Sequence, residues 1–387
     1  VTMTSLDTTS LPSIDIVRDA IEQVAQYGTL GSSNAGLFDV GTNRFISFFD
    51  SEVLDDLILS GGSTCRFFEG GYGAGKTHLL HLLEELAIAR GMATARTELS
   101  HDLPLEDWYK TSKYLLQQIT IISHGQEVRG LPSIIANLRE TGQAKVEALR
   151  AASLPHAGFK RAMLIASQES GVSLSLTRFL LGERVINSQL QKDGYKGIRD
   201  PLVQRNAELV LETVTGGLFH LGVQGTMLLF DETEKSFVSN RLIPSTKVRV
   251  AANLMRRLID ACSTGRLVGT VIGFAVLPGF LENCARVYPA LGQRLEMARG
   301  EDIVPAWRWP VLPIEALSAT KDRDDFLQLA SRRIVELVIH CGGQGSSLEA
   351  RLVSEGTSIL VAQAGSGYRR VLMKRLASIA AEHLEEV

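Results

Sequence analysis

Apolar residues recur at helical spacing at Ile14, Val17, Ile21 and Val24, which predicts an amphipathic helix from Ser13 to Tyr27. A Gly/Ser loop, Gly28 to Asn34, follows it. Phe45 to Ser60 predicts a second helix, ended by Gly61-Gly62. Thr64 to Glu69 reads as a short strand. A glycine-rich loop leads from it into a helix, Lys76 to Arg90, with Leu79, Leu80, Leu83 and Leu86 on its apolar face and Gly91 as its stop. Met92 to Leu99 is a second strand, and strand–loop–helix–strand order predicts an α/β fold with a parallel sheet. From about 105 to 222 the pattern is mostly helical, with segments at Trp108–Ile122, Pro132–Ala152, His156–Glu169, Leu174–Leu181 and Pro201–Leu221. The sheet resumes at Gly225–Asp231. A helix over 245–263, a strand over Leu267–Leu277 and a fifth strand over Ile303–Trp309 follow. Beyond Pro310 and Pro313 the chain predicts helices at 322–341, 346–363 and 367–385. Residues 1–12, rich in Ser and Thr, read as frayed.

The most specific chemistry lies in the glycine-rich loop. Gly70-Gly71-Tyr72-Gly73-Ala74-Gly75-Lys76-Thr77 fits Gly-x-x-x-x-Gly-Lys-Ser/Thr, between an apolar strand and an amphipathic helix. Glycines let backbone N–H groups turn inward around phosphate oxygens, and the helix N-terminus adds partial positive charge. Lys76 is placed to reach the β- and γ-phosphates and Thr77 to hold Mg²⁺. A metal so placed needs a carboxylate, and Asp231 ends the apolar run Met227-Leu228-Leu229-Phe230. A strand buried on both faces delivers that group to the sheet edge beside the phosphate loop. Glu232, next in line, is the residue type that polarises water. ATP and Mg²⁺ are therefore the expected ligands.

Composition narrows the remaining choices. The 387 residues are 45% hydrophobic and 21% charged, with net charge −3, which is ordinary for globular chains and lacks a global basic footprint. No run of about 18 uncharged apolar residues is present and no secretory signal precedes the first helix, so a cytoplasmic protein without a membrane span is expected. Cys65, Cys262, Cys284 and Cys341 lie far apart and read as reduced thiols rather than zinc ligands or a disulfide framework. Read alone, His78 and His81 are helix-surface or packing residues.

Three stretches carry a family resemblance: FFEGGYGAGKTHLL over Phe67–Leu80, TARTELS over Thr94–Ser100 and LLFDETE over Leu228–Glu234. Together they resemble the BREX-system ATP-binding proteins of the BrxD type, in the ORC-like branch of the AAA+ ATPases. The resemblance covers about 35–123 and 223–315. It implies an AAA+-like P-loop NTPase with a parallel sheet, a long helical insertion at about 124–222 and a C-terminal helical lid. The expected division is 1–34 for an N-terminal helix and loop, 35–315 for the nucleotide-binding domain and 316–387 for the lid.

The resemblance also implies roles for single residues. Val40-Gly41 would pack near adenine, and Gly70 to Thr77 with His78 would form the nucleotide-contacting set. Arg294 would be a finger acting on a neighbour's γ-phosphate, with Arg299 its competitor. Arg369, with Arg370 the alternative, would be the lid arginine. Leu277 departs from the pattern: the strand ahead of Pro278 is expected to end in threonine or asparagine, and leucine neither donates a hydrogen bond nor orients water. Slow hydrolysis follows as the expectation. The sequence as given ends just after the expected lid helix, so DNA contacts are expected on core, insertion or lid. Lys247, Arg249, Arg256 and Arg257, with Lys374 and Arg375, would form a local basic face for DNA. Trp108, Tyr109, Trp307 and Trp309 read as packing residues. The expected activity is an ATPase whose nucleotide state controls assembly or engagement of DNA or other defence-system proteins in anti-phage (BREX) defence. Its alternatives are a nucleotide-gated scaffold with little turnover and a target-selecting DNA-remodelling ATPase.

Overall fold

A computed structural model describes residues 11–236, 245–296, 309–320, 322–345, 347–363 and 367–385. The chain opens with α1 (Ile14–Tyr27), a 3₁₀ segment (Ser32–Phe38) and α2 (Asn43–Phe48), which runs on as a wider π-type helix over Phe49–Ile58. Then come β1 (Ser63–Glu69), α3 (Lys76–Ala89), β2 (Ala93–Glu98), α4 (Trp108–Gln118), β3 (Thr120–Ser123) and β4 (Gln126–Arg129). The inserted helices are α5 (Leu131–Asn137), α6 (Gln143–Ala151), α7 (Ala157–Gln168), α8 (Leu174–Leu180), α9 (Asn187–Lys192) and α10 (Ala207–His220). The core resumes with β5 (Thr226–Asp231), α11 (Ser245–Ser263), β6 (Thr270–Val276), α12 (Phe280–Val287), α13 (Pro289–Glu296), β7 (Val311–Pro313) and α14 (Ile314–Leu317). The C-terminal helices are α15 (Arg323–His340), α16 (Leu348–Ala362) and α17 (Tyr368–Glu385).

Among the described residues the sheet has seven strands in the order β4-β3-β2-β5-β6-β1-β7. The five strands from β2 to β7 are parallel, and β3 and β4 add an antiparallel edge. Every residue of β5 and β6 is buried, as a parallel sheet covered on both faces requires. Phe67, Phe274 and Phe230 sit in register on three adjacent strands. Their rings stack at 5.3 Å and 4.8 Å between centroids. Alternation sends these three rings to one face, with Phe159, Phe179 and Val214 of the inserted helices. It sends Phe68, Met227 and Leu229 to the other, with Leu80 and Leu83 of α3.

A third core joins the two ends of the chain. Val17, Ile21 and Val24 of α1 pack with Leu327, Ile334, Leu372 and Leu376 of α15 and α17. The segment expected to stand apart as 1–34 therefore has its helix in the C-terminal bundle, because an amphipathic helix must bury its stripe and α17 offers the facing one.

Several expectations need correction. The helix expected to run to Ile122 stops at Gln118, and Thr120–Ser123 pairs with Gln126–Arg129. β-branched Thr120, Ile121 and Ile122 favour strand, and His124-Gly125, both at positive φ, close a two-residue hairpin. The helix expected over Pro132–Ala152 is broken at Gly142, at φ 96. The one expected from Pro201 starts at Ala207, since the Asn206 side chain instead holds Val203 N and Pro201 O. The fifth strand expected at Ile303–Trp309 falls, except for Trp309, outside the described residues; the edge strand beside β1 is Val311–Pro313. The two helices α12 and α13 carry no expectation from the pattern. Among the described residues no helix is long and apolar enough to cross a membrane.

Candidate nucleotide site

Register places the key groups at one sheet edge. Glu69, last in β1, pairs with Val276, last in β6, while Phe230 pairs with Phe274 and Asp231 with Glu98 of β2. The phosphate loop and Asp231 thus emerge side by side, with the end of β6 between their strands. The loop is pinned at its start by Gly70 N donating to Val276 O at 3.1 Å. Gly73 at φ 73 and Gly75 at φ 102 take left-handed conformations that only glycine adopts without strain. Lys76, at the first turn of α3, is buried; its Nζ donates to the carbonyls of Gly70 at 2.8 Å and Gly71 at 3.1 Å. It also lies 5.5 Å from the centroid of the exposed Tyr72 ring.

A pocket opens over this loop, lined by Tyr72 through Leu79 and Glu232. Its remaining wall is mostly apolar: Val24, Leu30, Phe38, Val40, Phe326 and Met373, which share one core, and Ile314 and Leu317, which belong to another, with Thr29, Asp39 and Thr42 as polar points. Gly41 stands behind Val40 and accepts from Ala319 N at 2.7 Å, which ties the segment to the chain after α14. Gly70, Gly71 and Asp231 form the frame under the pocket rather than its lining.

The C-terminal helical segment reaches the loop directly. A Cβ built on Gly73 would stand 2.9 Å from Gly367 O, and one on Gly367 would stand 3.0 Å from Tyr72 O. Arg369, at the start of α17, lines the pocket; its Nη1 donates to Ala74 O at 3.4 Å and its guanidinium lies 4.9 Å from the centroid of the Phe326 ring. Arg370 also lines the pocket and donates to Tyr27 O at 3.1 Å.

Asp231 is buried, and its Oδ1 accepts from Glu232 N at 2.8 Å. Glu232 has φ 52, a left-handed backbone that costs a non-glycine residue about 1–2 kcal/mol. Strain of this kind persists where surrounding structure fixes it, and it clusters at working sites. Glu234 is buried, and burial raises its pKa, with its own backbone amide and then Lys76 pulling it back. His78 lines the pocket, and burial lowers its pKa while nearby Asp39 acts in the opposite sense. His81, one turn on, is pushed down to about 4, by burial first and then by Arg96.

Other residues lie elsewhere. Arg294 is on α13, outside the pocket lining, with its Nε 2.6 Å from Asp260 Oδ1. Arg299 and Trp307 lie outside the described residues. Leu277 follows β6 and is half-buried. The turn after it is held by Phe280 N donating to Leu277 O at 3.1 Å and by Gly279 N donating to Glu69 Oε1 at 3.1 Å. Much of the basic face is ion-paired: Lys247 with Glu106, Arg256 with Asp260, Arg257 with Glu208 and Arg375 with Glu355. Trp108 is buried against Phe230. The four cysteines are free and buried, and burial pushes Cys262 and Cys284 up to about 12. The pocket residues missed from sequence include Thr29, Asp39, Thr42, Phe326 and Met373. Only the loop after α1 and the helical stripe of the lid signalled that segments of this kind meet anything.

A mostly parallel sheet with a glycine loop opening a helix at its edge, and a buried lysine inside that loop, defines a protein of P-loop-NTPase-like fold. Residues 17–173 match the family model of the BREX system ATP-binding proteins BrxC/D, which bears out the resemblance read from the sequence; the match does not separate BrxD from BrxC. No curated protein and no solved structure gives a significant match.

Proposed function

We propose that the chain is an AAA+-like ATPase that binds ATP with Mg²⁺ and hydrolyses it slowly, and whose nucleotide state controls assembly or engagement of DNA or other BREX proteins. One observation carries this reading. Three distant segments, the phosphate loop, the Asp231-Glu232 corner and the lid arginine Arg369, converge on one pocket or its frame.

The residues divide the work by chemistry. Amides of the loop and the N-terminus of α3 take the phosphate oxygens, and Lys76 exchanges its carbonyl partners for them. The apolar wall around Val40 and Phe326 suits a nucleobase. Thr77 offers a hydroxyl and Asp231 a buried carboxylate, a donor set that fits Mg²⁺, which usually takes one or two carboxylates and leaves its other positions to phosphates and water. The metal, when bound, neutralises charge on the β- and γ-phosphates. Glu232 orients water. The water oxygen bonds to the γ-phosphorus as the bond to the β–γ bridging oxygen breaks, Glu232 takes the water proton, and ADP and phosphate leave. Arg369 offsets charge from the lid, and Arg294, half-buried on α13 and paired with Asp260, is the residue proposed to act on a neighbouring subunit.

The test is ATP binding and turnover of the wild type beside Lys76→Ala and Glu232→Gln. The reading expects Lys76→Ala to lose binding and Glu232→Gln to keep binding and lose turnover. Turnover that survives both substitutions refutes it. Leu277 favours a second reading, a nucleotide-gated scaffold, because no hydrogen-bonding side chain stands at the end of β6 between the two working strands. Tight ATP binding with no turnover, alone or with duplex DNA, would select the scaffold.

A further inference from the structure

The acidic corner ends in a lysine held between two carboxylates. Lys235 Nζ lies 3.0 Å from Oε1 of Glu98, the last residue of β2, and 3.4 Å from Oε1 of Glu232. The other oxygen of Glu232, Oε2, is buried and has no hydrogen-bond partner among the described residues, while Glu232 lines the pocket. One oxygen is therefore anchored and the other left without a partner. The backbone agrees. Glu232 is turned into a left-handed conformation, and its amide is tied to Asp231 Oδ1 at 2.8 Å, so the side chain starts from a fixed point. A short 3₁₀ turn, Thr233–Ser236, then brings Lys235 back three residues later, with its N–H donating to Glu232 O at 2.8 Å.

We propose that Lys235 is a positioning residue for hydrolysis: it holds the Glu232 carboxylate by Oε1 and leaves Oε2, which bonds no other group among the described residues, as the oxygen that takes the attacking water when nucleotide binds, and Glu98 in turn holds Lys235. The proposal rests on the reading of Glu232 as the group that orients water. An ammonium suits this task because it carries three donors on a flexible stem and can serve two carboxylates at once. Glu98 and Lys235 are 63% and 45% exposed in their side chains, so the bridge adds little to folding stability. Its effect belongs in turnover, where a misplacement of about 1 Å can cost roughly a hundredfold.

The test uses the full chain and single-turnover hydrolysis of γ-labelled ATP, with ATP affinity and thermal unfolding measured beside it. Lys235→Met is expected to lower the hydrolysis rate at least about tenfold, with ATP affinity and unfolding temperature nearly unchanged. Lys235→Arg is expected to restore part of that rate, and Glu98→Gln to fall between Lys235→Met and the wild type. An unchanged or faster rate in Lys235→Met, with Glu232→Gln inactive, overturns the role of Lys235 alone. Hydrolysis that survives Glu232→Gln removes the reading of Glu232 and the role of Lys235 with it. A wild type that hydrolyses nothing in a single turnover overturns the proposal too, since there is then no reaction to position.

Discussion

Gly73→Ala is the sharpest probe of how the lid meets the phosphate loop. Gly73 stands at φ 73, so an alanine there carries about 1–2 kcal/mol of backbone strain before any contact is counted. Its Cβ would then lie 2.9 Å from Gly367 O and 3.0 Å from Gly367 Cα, and both atoms are backbone. No side chain can rotate away, so either the loop or the start of α17 must move by a few tenths of an ångström. Arg369 follows Gly367 by two residues, and its bond to Ala74 O is already long at 3.4 Å, where a small displacement breaks it. If the strain is expressed fully in the closed, ATP-holding form, affinity falls roughly fivefold to thirtyfold, at 1.4 kcal/mol per factor of ten. Isothermal titration with a non-hydrolysable ATP analogue reads the affinity, and hydrogen exchange over 367–373 reads the lid without nucleotide. Two comparators separate the causes. Gly75→Ala carries a φ of 102 but meets no atom within 4 Å, so it strains the loop without pushing the lid. Gly367→Ala would press on Tyr72 O at 3.0 Å and push from the other side. Gly73→Ala and Gly367→Ala should both raise exchange at the start of α17, and Gly75→Ala should not. Unchanged exchange in Gly73→Ala would refute the loop–lid contact as a feature of the protein in solution.

Three further outcomes are expected. His81 titrates near 4 in the folded chain against an ordinary 6.5, because burial and then Arg96 disfavour the imidazolium. The unfolded chain therefore binds a proton first. Stability from this group is full above pH 6.5 and declines as pH falls toward 4, by on the order of 3 kcal/mol; urea unfolding of His81→Leu against wild type should show that slope disappear, and an equal slope in both refutes it. Arg369→Ala should weaken ATP roughly tenfold to a hundredfold, a charge-assisted bond being worth about 1.5–3 kcal/mol, and ADP less; competition binding that shows equal losses for the two would place Arg369 away from the γ-phosphate. Leu277→Asn should cost about 1 kcal/mol of stability, as single substitutions commonly do, and raise single-turnover hydrolysis severalfold; an unchanged rate would mean that the leucine is not what limits it.

What could be read from the sequence was local. Helix α11 falls where its periodicity puts it, and β5 and β6 where their apolar runs put them, because a continuous apolar run is what two covered faces demand. The phosphate loop was legible because its turns at Gly73 and Gly75 need glycine and its lysine and threonine follow at fixed spacing. The pocket wall was not. Thr29 and Asp39 line one pocket with Phe326 and Met373 because α1 packs on α17, nearly the whole chain length away, and spacing carries no record of that. The β3–β4 hairpin was missed because four β-branched or polar residues are too few to outweigh the helical pattern before them. Lys235 looked like one more residue of a polar run; its meaning depends on Glu98, which arrives beside it through strand pairing.

The inserted segment is where sequence and structure together change the functional argument. A long insertion between β2 and β5 admits three readings: cover for the nucleotide, a partner surface, or a nucleic-acid contact. None of the described residues of 124–222 lines the nucleotide pocket, so the first reading is not supported. Nor is the insertion a loose appendage. Phe159, Phe179 and Val214 share one core with Phe67, Phe230 and Phe274, the stacked rings on β1, β5 and β6. Phe67 lies two residues before the end of the strand that carries the phosphate loop, and Phe230 lies directly before Asp231. Close-packed interiors do not deform continuously, so a shift of the inserted helices has to be taken up by these rings or by the strands that bear them. A partner that binds the insertion therefore acts on the sheet from the face opposite α3. The strands it presses on are those whose ends hold the phosphate and the metal ligand in the proposed reaction.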